Sequence, residues 1–224
     1  RAPRAGRAPG SGLKRAIDLV LASIGLLFLL PVFALVAVAI KLDSPGPVFY
    51  GQERVGINRR RGRRRSRTPL YDRRKVGAFG QPIKIYKFRS MIADAERQTG
   101  PVWASAQDSR TTRVGRFLRR TRLDETPQLW NVVRGNMSLV GPRPERPTFV
   151  RSLATSIPDY PQRCAAMPGI TGLAQVKSRY ATSVESANRK LQYDLYYLRH
   201  GRLLLDLKIM ALTVKVMARG DGAH

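Results

Sequence analysis

The chain has 224 residues, with 41 Lys and Arg against 15 Asp and Glu and a formal net charge of +26. Its partners are therefore expected to be anionic: nucleic acid, acidic lipid or a phosphorylated substrate. A single cysteine, Cys164, and two histidines, His200 and His224, exclude a disulfide framework, a thiolate zinc site and a histidine metal cluster.

Residues 1–13, Arg-rich among Ala, Pro, Gly and Ser, read as a disordered basic leader. Residues 14–41 carry the membrane segment. Its uncharged run LVLASIGLLFLLPVFALVAVAI (19–40) is long enough as a helix to cross about 30 Å of hydrocarbon. It is also longer than the apolar region of a signal peptide and has no small-residue cleavage site. Pro31 removes a backbone donor and clashes with the preceding turn, which predicts a kink or break there. Lys14 and Arg15 lie before the run and Lys41 and a very basic body after it, so positive charge pulls both ends to the cytoplasm. Together these features predict a re-entrant helix broken at Pro31; a single-pass anchor with a Pro kink is the plainer alternative.

Residues 42–224 read as a cytoplasmic domain of mostly α structure with short strands (α+β). DSPGP (43–47) is a turn and residues 48–50 a short strand. The Arg-rich insertion 58–75, NRRRGRRRSRTPLYDRRK, is too charged to build a core. It is either a solvated loop or a contact for anionic lipid headgroups, worth on the order of 1 kcal/mol per basic residue near the surface. In the strand-like stretch 81–91, Ile83, Ile85, Lys87 and Arg89 share one side, so Lys87 and Arg89 either point into a pocket or lie past the strand end near Tyr86.

Residues 110–123 have the spacing of a basic amphipathic helix, with Val114, Phe117, Leu118 and Thr121 on one face, suited to an anionic membrane surface or to packing on the core. In the stretch 121–128, TRLDETPQ, two adjacent carboxylates, Asp124 and Glu125, stand in a chain poor in acids. Thr126 as N-cap and Pro127 as first residue predict a helix start, leaving the acid pair in the bend before it. An irregular junction can turn both toward one site as a nucleophile or base beside a metal ligand; otherwise the pair favours a helix N-terminus electrostatically. This helix carries Leu129, Trp130, Val132 and Val133 and stops at Gly135. Pro142 and Pro144 then hold Arg143 in an extended loop, as a rigid fork for a phosphate or as a surface side chain. Residues 167–176 read as a turn leading into a short strand. The Leu-rich stretch 203–218, interrupted by Asp206, Lys208 and Lys215, predicts an interfacial or core-packing helix rather than a second span.

The motifs KRAIDLVLA, GPVFYGQERVG, IYKFRSM, RLDETPQLWNVVRGNMSLVGPRPE, PGITGLAQV, YDLYY and LDLKIMALT, in this order over residues 14–216, resemble the bacterial sugar transferase family, the monotopic polyprenyl-phosphate sugar-1-phosphate transferases. The resemblance implies a catalytic domain on a re-entrant helix broken at Pro31, at the cytoplasmic face of a bacterial inner membrane. It places the family's Asp-Glu dyad on Asp124 and Glu125, with Asp124 as nucleophile and Glu125 as ligand of Mg²⁺. It places the essential lysine on Lys87 and the phosphate-binding arginine on Arg143. Arg89 and Glu145 are further candidate substrate contacts. The implied reaction transfers a sugar 1-phosphate from a UDP-sugar to undecaprenyl phosphate and releases UMP, by way of an aspartyl-phosphosugar intermediate. RPERPTF (143–149) is similar to exopolysaccharide-initiating members, which leans toward a hexose. A membrane-anchored nucleic-acid-binding protein using residues 59–75 is the rival from a different class, although no aromatic platform or binding module accompanies that run and no nucleic acid is expected. A phosphatase using Asp124 is a third reading.

Overall fold

The computed structural model describes residues 11–58, 79–95, 108–178 and 183–218. Residues 1–10 of the expected leader and 59–75 of the Arg-rich insertion lie outside them.

The first helix, α1 (Ser11–Asp43), is continuous through Pro31. The break expected there is absent. Pro31 still removes one backbone donor, but both halves of the helix pack against the same body, and tertiary packing is what chiefly sustains a helix. Ala22 in the first half packs with Ile85, Val132 and Met137, and Val36 and Ile40 in the second half pack with Phe88 and Leu118. Phe33 meets Phe88 edge to face, with ring centroids 5.0 Å apart.

Polar pins hold each end. Near the N-terminus, Lys14 Nζ donates to Asp206 Oδ2 at 2.7 Å and to the Val140 carbonyl at 3.2 Å. Arg15 donates to the Val132 and Val133 carbonyls, and Asp18 accepts from Ser138 Oγ and the Leu139 N–H. At the other end, Asp43 Oδ2 accepts the Val114 N–H at 3.0 Å. The outward face stays apolar, with Leu27 68 %, Phe28 76 % and Leu35 72 % exposed. A helix apolar on both its packed and its outward face calls for lipid or another apolar cover on the second.

β1 (Phe49–Val55) runs further than the short strand expected from residues 48–50, because it pairs antiparallel with β2 (Pro82–Phe88) from Phe49↔Phe88 to Val55↔Pro82. α2 (Arg113–Thr121) follows, capped by Thr112 Oγ1, which accepts the Gly115 N–H at 3.0 Å. A Cβ at Gly115 would stand 2.0 Å from the Ser90 carbonyl, so only glycine lets α2 lie this close to the backbone after β2. A 3₁₀ turn, Leu123–Glu125, leads to α3 (Gln128–Val133). The helix thus starts one residue later than expected. Thr126 is not its N-cap: its hydroxyl instead donates back to the Leu123 carbonyl at 2.7 Å, closing the 3₁₀ turn.

β3 (Ser138–Val140), just before the Arg143 loop, pairs in parallel with β4 (Gly169–Thr171). α4 (Pro147–Ser156) and a 3₁₀ segment, Tyr160–Ala165, fill the connection. The short strand expected within residues 167–176 is β4; it ends at Thr171, and α5 (Leu173–Lys177) follows. α6 (Val184–His200) begins with a Ser183/Ser186 capping box, and α7 (Leu203–Ala218) packs the fully buried Ile209 against Val140 and Tyr197 while leaving Leu204 exposed. The expectation of a mostly helical molecule with short strands holds over the described residues.

Candidate active site

The acid pair owes its position to one backbone turn. Arg122 closes α2 in the left-handed conformation, φ 61°, its N–H donating to the Arg119 carbonyl. The chain reverses there, and the 3₁₀ turn brings Asp124 and Glu125 beside β2. A second device sets the distance between turn and strand. Asn131 on α3 is fully buried; its Oδ1 accepts the Tyr86 N–H at 3.1 Å and its Nδ2 donates to the Lys84 carbonyl at 2.7 Å. One amide side chain thus substitutes for a neighbouring strand along the free edge of β2, on either side of Ile85.

Two of the expected site residues converge on a third, Glu125. Lys87 Nζ donates to Glu125 Oε1 at 2.6 Å. Arg143 grips the same carboxylate with both arms, Nη2 to Oε1 at 2.5 Å and Nη1 to Oε2 at 3.1 Å. Asp124, 8 % exposed, has no ion-pair or hydrogen-bond partner among the described residues. The two neighbours therefore differ electrostatically. Burial pushes Glu125 up, but the charges of Arg143 and Lys87 outweigh it and hold the carboxyl well below the usual range. Burial and the adjacent Glu125 charge raise Asp124, and Lys87, Arg119 and Arg143 offset this only in part. Lys87 is itself lowered by burial, against the pull of Glu125.

Glu145 lies beside this group rather than in it, with Oε2 3.7 Å from Arg54 Nη1 and Oε1 3.6 Å from Arg163 Nη1. Arg54 on β1 also donates to the Pro144 carbonyl at 3.2 Å, and burial lowers its guanidinium to about 10. Arg89 is elsewhere. Its guanidinium donates to the carbonyls of Ser44 (2.6 Å), Pro45 (2.7 Å) and Ile40 (3.3 Å) and to Ser44 Oγ, capping the C-terminal end of α1. Of the two positions considered for it, the one past the strand end is what the structure contains, since β2 closes at Phe88. Sequence reasoning missed Arg54, Asn131, Arg163 and Asp194. Asp194 carried a signal, being an acid at helical spacing between Leu191 and Leu195 on the buried face of α6.

Among the described residues no group of three or more His, Cys, Asp or Glu comes together. The donor set is two adjacent carboxylates, one of them without a partner, so it fits a hard cation such as Mg²⁺ whose remaining ligands are phosphate oxygens and water.

A cation-flanked carboxylate pair fastened to a long apolar helix defines a membrane-associated protein whose site suits phosphorylated ligands. The chain belongs to the bacterial sugar transferase family, whose model matches residues 10–64 and 61–220. It is 40 % identical over 212 residues to the UDP-N-acetylgalactosamine-undecaprenyl-phosphate N-acetylgalactosaminephosphotransferase of Aeromonas hydrophila, covering 95 % of this chain and 45 % of that protein. It is 41 % identical over 204 residues to the UDP-glucose:undecaprenyl-phosphate glucose-1-phosphate transferase of Escherichia coli, covering 90 % and 39 %. The exopolysaccharide production protein PSS of Rhizobium leguminosarum is 38 % identical over 216 residues, covering 94 % and 98 %. The chain thus spans less than half the length of the first two relatives.

Proposed function

We propose that this protein transfers a sugar 1-phosphate from a UDP-sugar to undecaprenyl phosphate at the cytoplasmic face of a bacterial inner membrane, releasing UMP and starting exopolysaccharide or other glycan assembly. The observation that carries this reading is the split between the two acids. Glu125 is saturated by Lys87 and Arg143, whereas Asp124 at its side keeps an unpaired carboxylate. The names of the relatives support the substrate classes.

Asp124 acts as nucleophile. A carboxylate oxygen attacks the sugar-bearing phosphorus, the bond from that phosphorus to the bridging oxygen breaks, and UMP leaves with the electron pair. An oxygen of the lipid phosphate then attacks the same phosphorus, the bond to Asp124 breaks, and the carboxylate is restored. Lys87 and Arg143 move from Glu125 to the diphosphate oxygens, so the repulsion between two acids and two phosphates is offset in the same place where charge develops. Glu125 would hold Mg²⁺, which supplies further neutralisation of the diphosphate when bound.

The same reading makes the membrane helix re-entrant. Both ends of α1 are pinned to one body, Lys14 and Asp18 at one end and Asp43 at the other. A helix fastened at both ends to one body sinks its outward apolar face into one leaflet without crossing to the other side, and the basic face of α2, with exposed Phe117, rests on anionic headgroups.

The test is pre-steady-state UMP release. With UDP-sugar and Mg²⁺ but no lipid, a burst equal to the enzyme concentration is expected, with ping-pong kinetics once polyprenyl phosphate is added and loss of the burst in Asp124→Asn. UMP release only in the presence of both substrates, with no labelled enzyme trapped, overturns the covalent route. A panel of UDP-sugars in the same assay identifies the sugar.

A further inference from the structure

We propose that Arg163 and Asp194 form a positioning pair that aims the Arg143 guanidinium at the substrate diphosphate, an inference that rests on the reading of the site above. Arg143 sits between two prolines, so its backbone has few conformations, but a short loop still needs an anchor to point one side chain within a fraction of an ångström. That anchor is Arg163. Its Nη2 donates to the Arg143 carbonyl at 3.1 Å, on the residue whose side chain grips Glu125.

Arg163 cannot serve as a substrate contact itself. It is 6 % exposed, and its donors go to protein groups: Nε to Asp194 Oδ2 at 2.9 Å, Nη1 to Tyr160 Oη at 2.7 Å, and Nη2 to both Asp194 and the Arg143 carbonyl. The guanidinium also lies over the Tyr160 ring, 5.0 Å from its centroid. Asp194, 1 % exposed on the buried face of α6, is the counter-charge that lets this cation stay ionised in the interior. Burial alone would lower Arg163, and Asp194 reverses the direction. Arg163 Nη1 also lies 3.6 Å from Glu145 Oε1, so the same cation braces the loop on both sides of Pro144.

The chain of contacts runs from α6 through Asp194 and Arg163 to the Arg143 backbone and out to its side chain. A group that acts only through Arg143 has nothing to act on once Arg143 is gone. A merely structural group still has an effect. The experiment is a double-mutant cycle on the full chain in detergent, read as the Kd for UDP with Mg²⁺ by calorimetry and as kcat/KM for UMP release. Arg163→Lys keeps the charge but loses the fork, and is expected to weaken UDP binding about ten- to a hundredfold, the effect of losing a charge-assisted hydrogen bond. In an Arg143→Ala background, Arg163→Lys is expected to change UDP affinity by less than about twofold. Equal fold-losses in both backgrounds overturn the proposal. Should Arg163→Lys fail to fold, Asp194→Asn, of nearly the same shape, carries the same cycle with the same two outcomes. UDP binding by the wild-type protein is the internal check: its absence refutes the reading of the site, whereas binding with additive losses refutes only the role of Arg163.

Discussion

Lys87 and Arg143 compete for one carboxylate: Lys87 Nζ stands 2.6 Å from Glu125 Oε1, and Arg143 Nη2 stands 2.5 Å from the same oxygen. Without substrate, the acid suited to a metal is thus already neutralised by two cations. A diphosphate offers those cations a more highly charged partner and frees Glu125. Mg²⁺ and UDP are therefore expected to bind synergistically, each raising the other's affinity by the same factor, about tenfold or more. Titrating Mn²⁺ by electron paramagnetic resonance with and without UDP measures the factor, and equal Mn²⁺ affinity in the two titrations refutes the competition.

The two adjacent acids are expected to respond to neutralisation with opposite signs of stability. Asp124 is raised, so it disfavours the folded state once ionised: stability falls as pH rises from about 3.9 through its folded value. Glu125 is held low, so its contribution is present above about pH 4.3 and lost as pH falls through its folded value. At pH 7, Asp124→Asn should raise Tm, and Glu125→Gln should lower stability by about 1.5–3 kcal/mol, the worth of hydrogen bonds to a charged group. Thermal unfolding in detergent checks both, and a fall in Tm for Asp124→Asn would count against its unpaired state. The acid limb of kcat/KM should likewise lie above the ordinary aspartate value, because only ionised Asp124 attacks.

Asn131 is expected to be the residue of α3 least tolerant of change. Asn131→Leu keeps the volume but leaves the Tyr86 N–H and the Lys84 carbonyl unpaired in a fully buried place. A cost of about 2–6 kcal/mol is expected from two orphaned groups at about 1–3 kcal/mol each. Hydrogen exchange at Tyr86 is the direct measurement; protection equal to wild type would show that another group satisfies the strand.

Topology is testable at both ends of α1. Leu13 and Leu42 are exposed, 63 % and 84 %, and Cys164 is buried, so Leu13→Cys and Leu42→Cys each introduce one accessible thiol. Both should be labelled from the cytoplasmic side in inverted vesicles and neither from outside in intact cells. External labelling of Leu13→Cys would establish a span. Pro31→Leu restores the missing donor and should stiffen the helix toward spanning.

Much of the site was legible because its chemistry is unusual for this chain. In a protein of net charge +26, two adjacent acids stand out, and the prolines around Arg143 mark a rigid loop. Arg54 and Arg163 were invisible for the converse reason: two arginines among 41 basic residues carry no local sign that one is half-buried and the other buried. The place of Arg89 was open in the sequence, because strand alternation gives direction but not the strand's end, and its bonds to the end of α1 join segments far apart in the chain.

By itself the sequence determined the apolar helix, the strand that carries Lys87, the α2 amphipathic stripe and the family, because hydrophobic period and contiguous motifs are local properties of the chain. The tertiary structure alone decided that α1 continues through Pro31, that Thr126 closes a 3₁₀ turn instead of opening a helix, and that Lys87, Glu125 and Arg143 share one set of bonds. Each of these turns on partners far apart in the chain. Packing against a common body outweighs the local cost of a proline, and a carboxylate takes whichever cations the fold brings within reach.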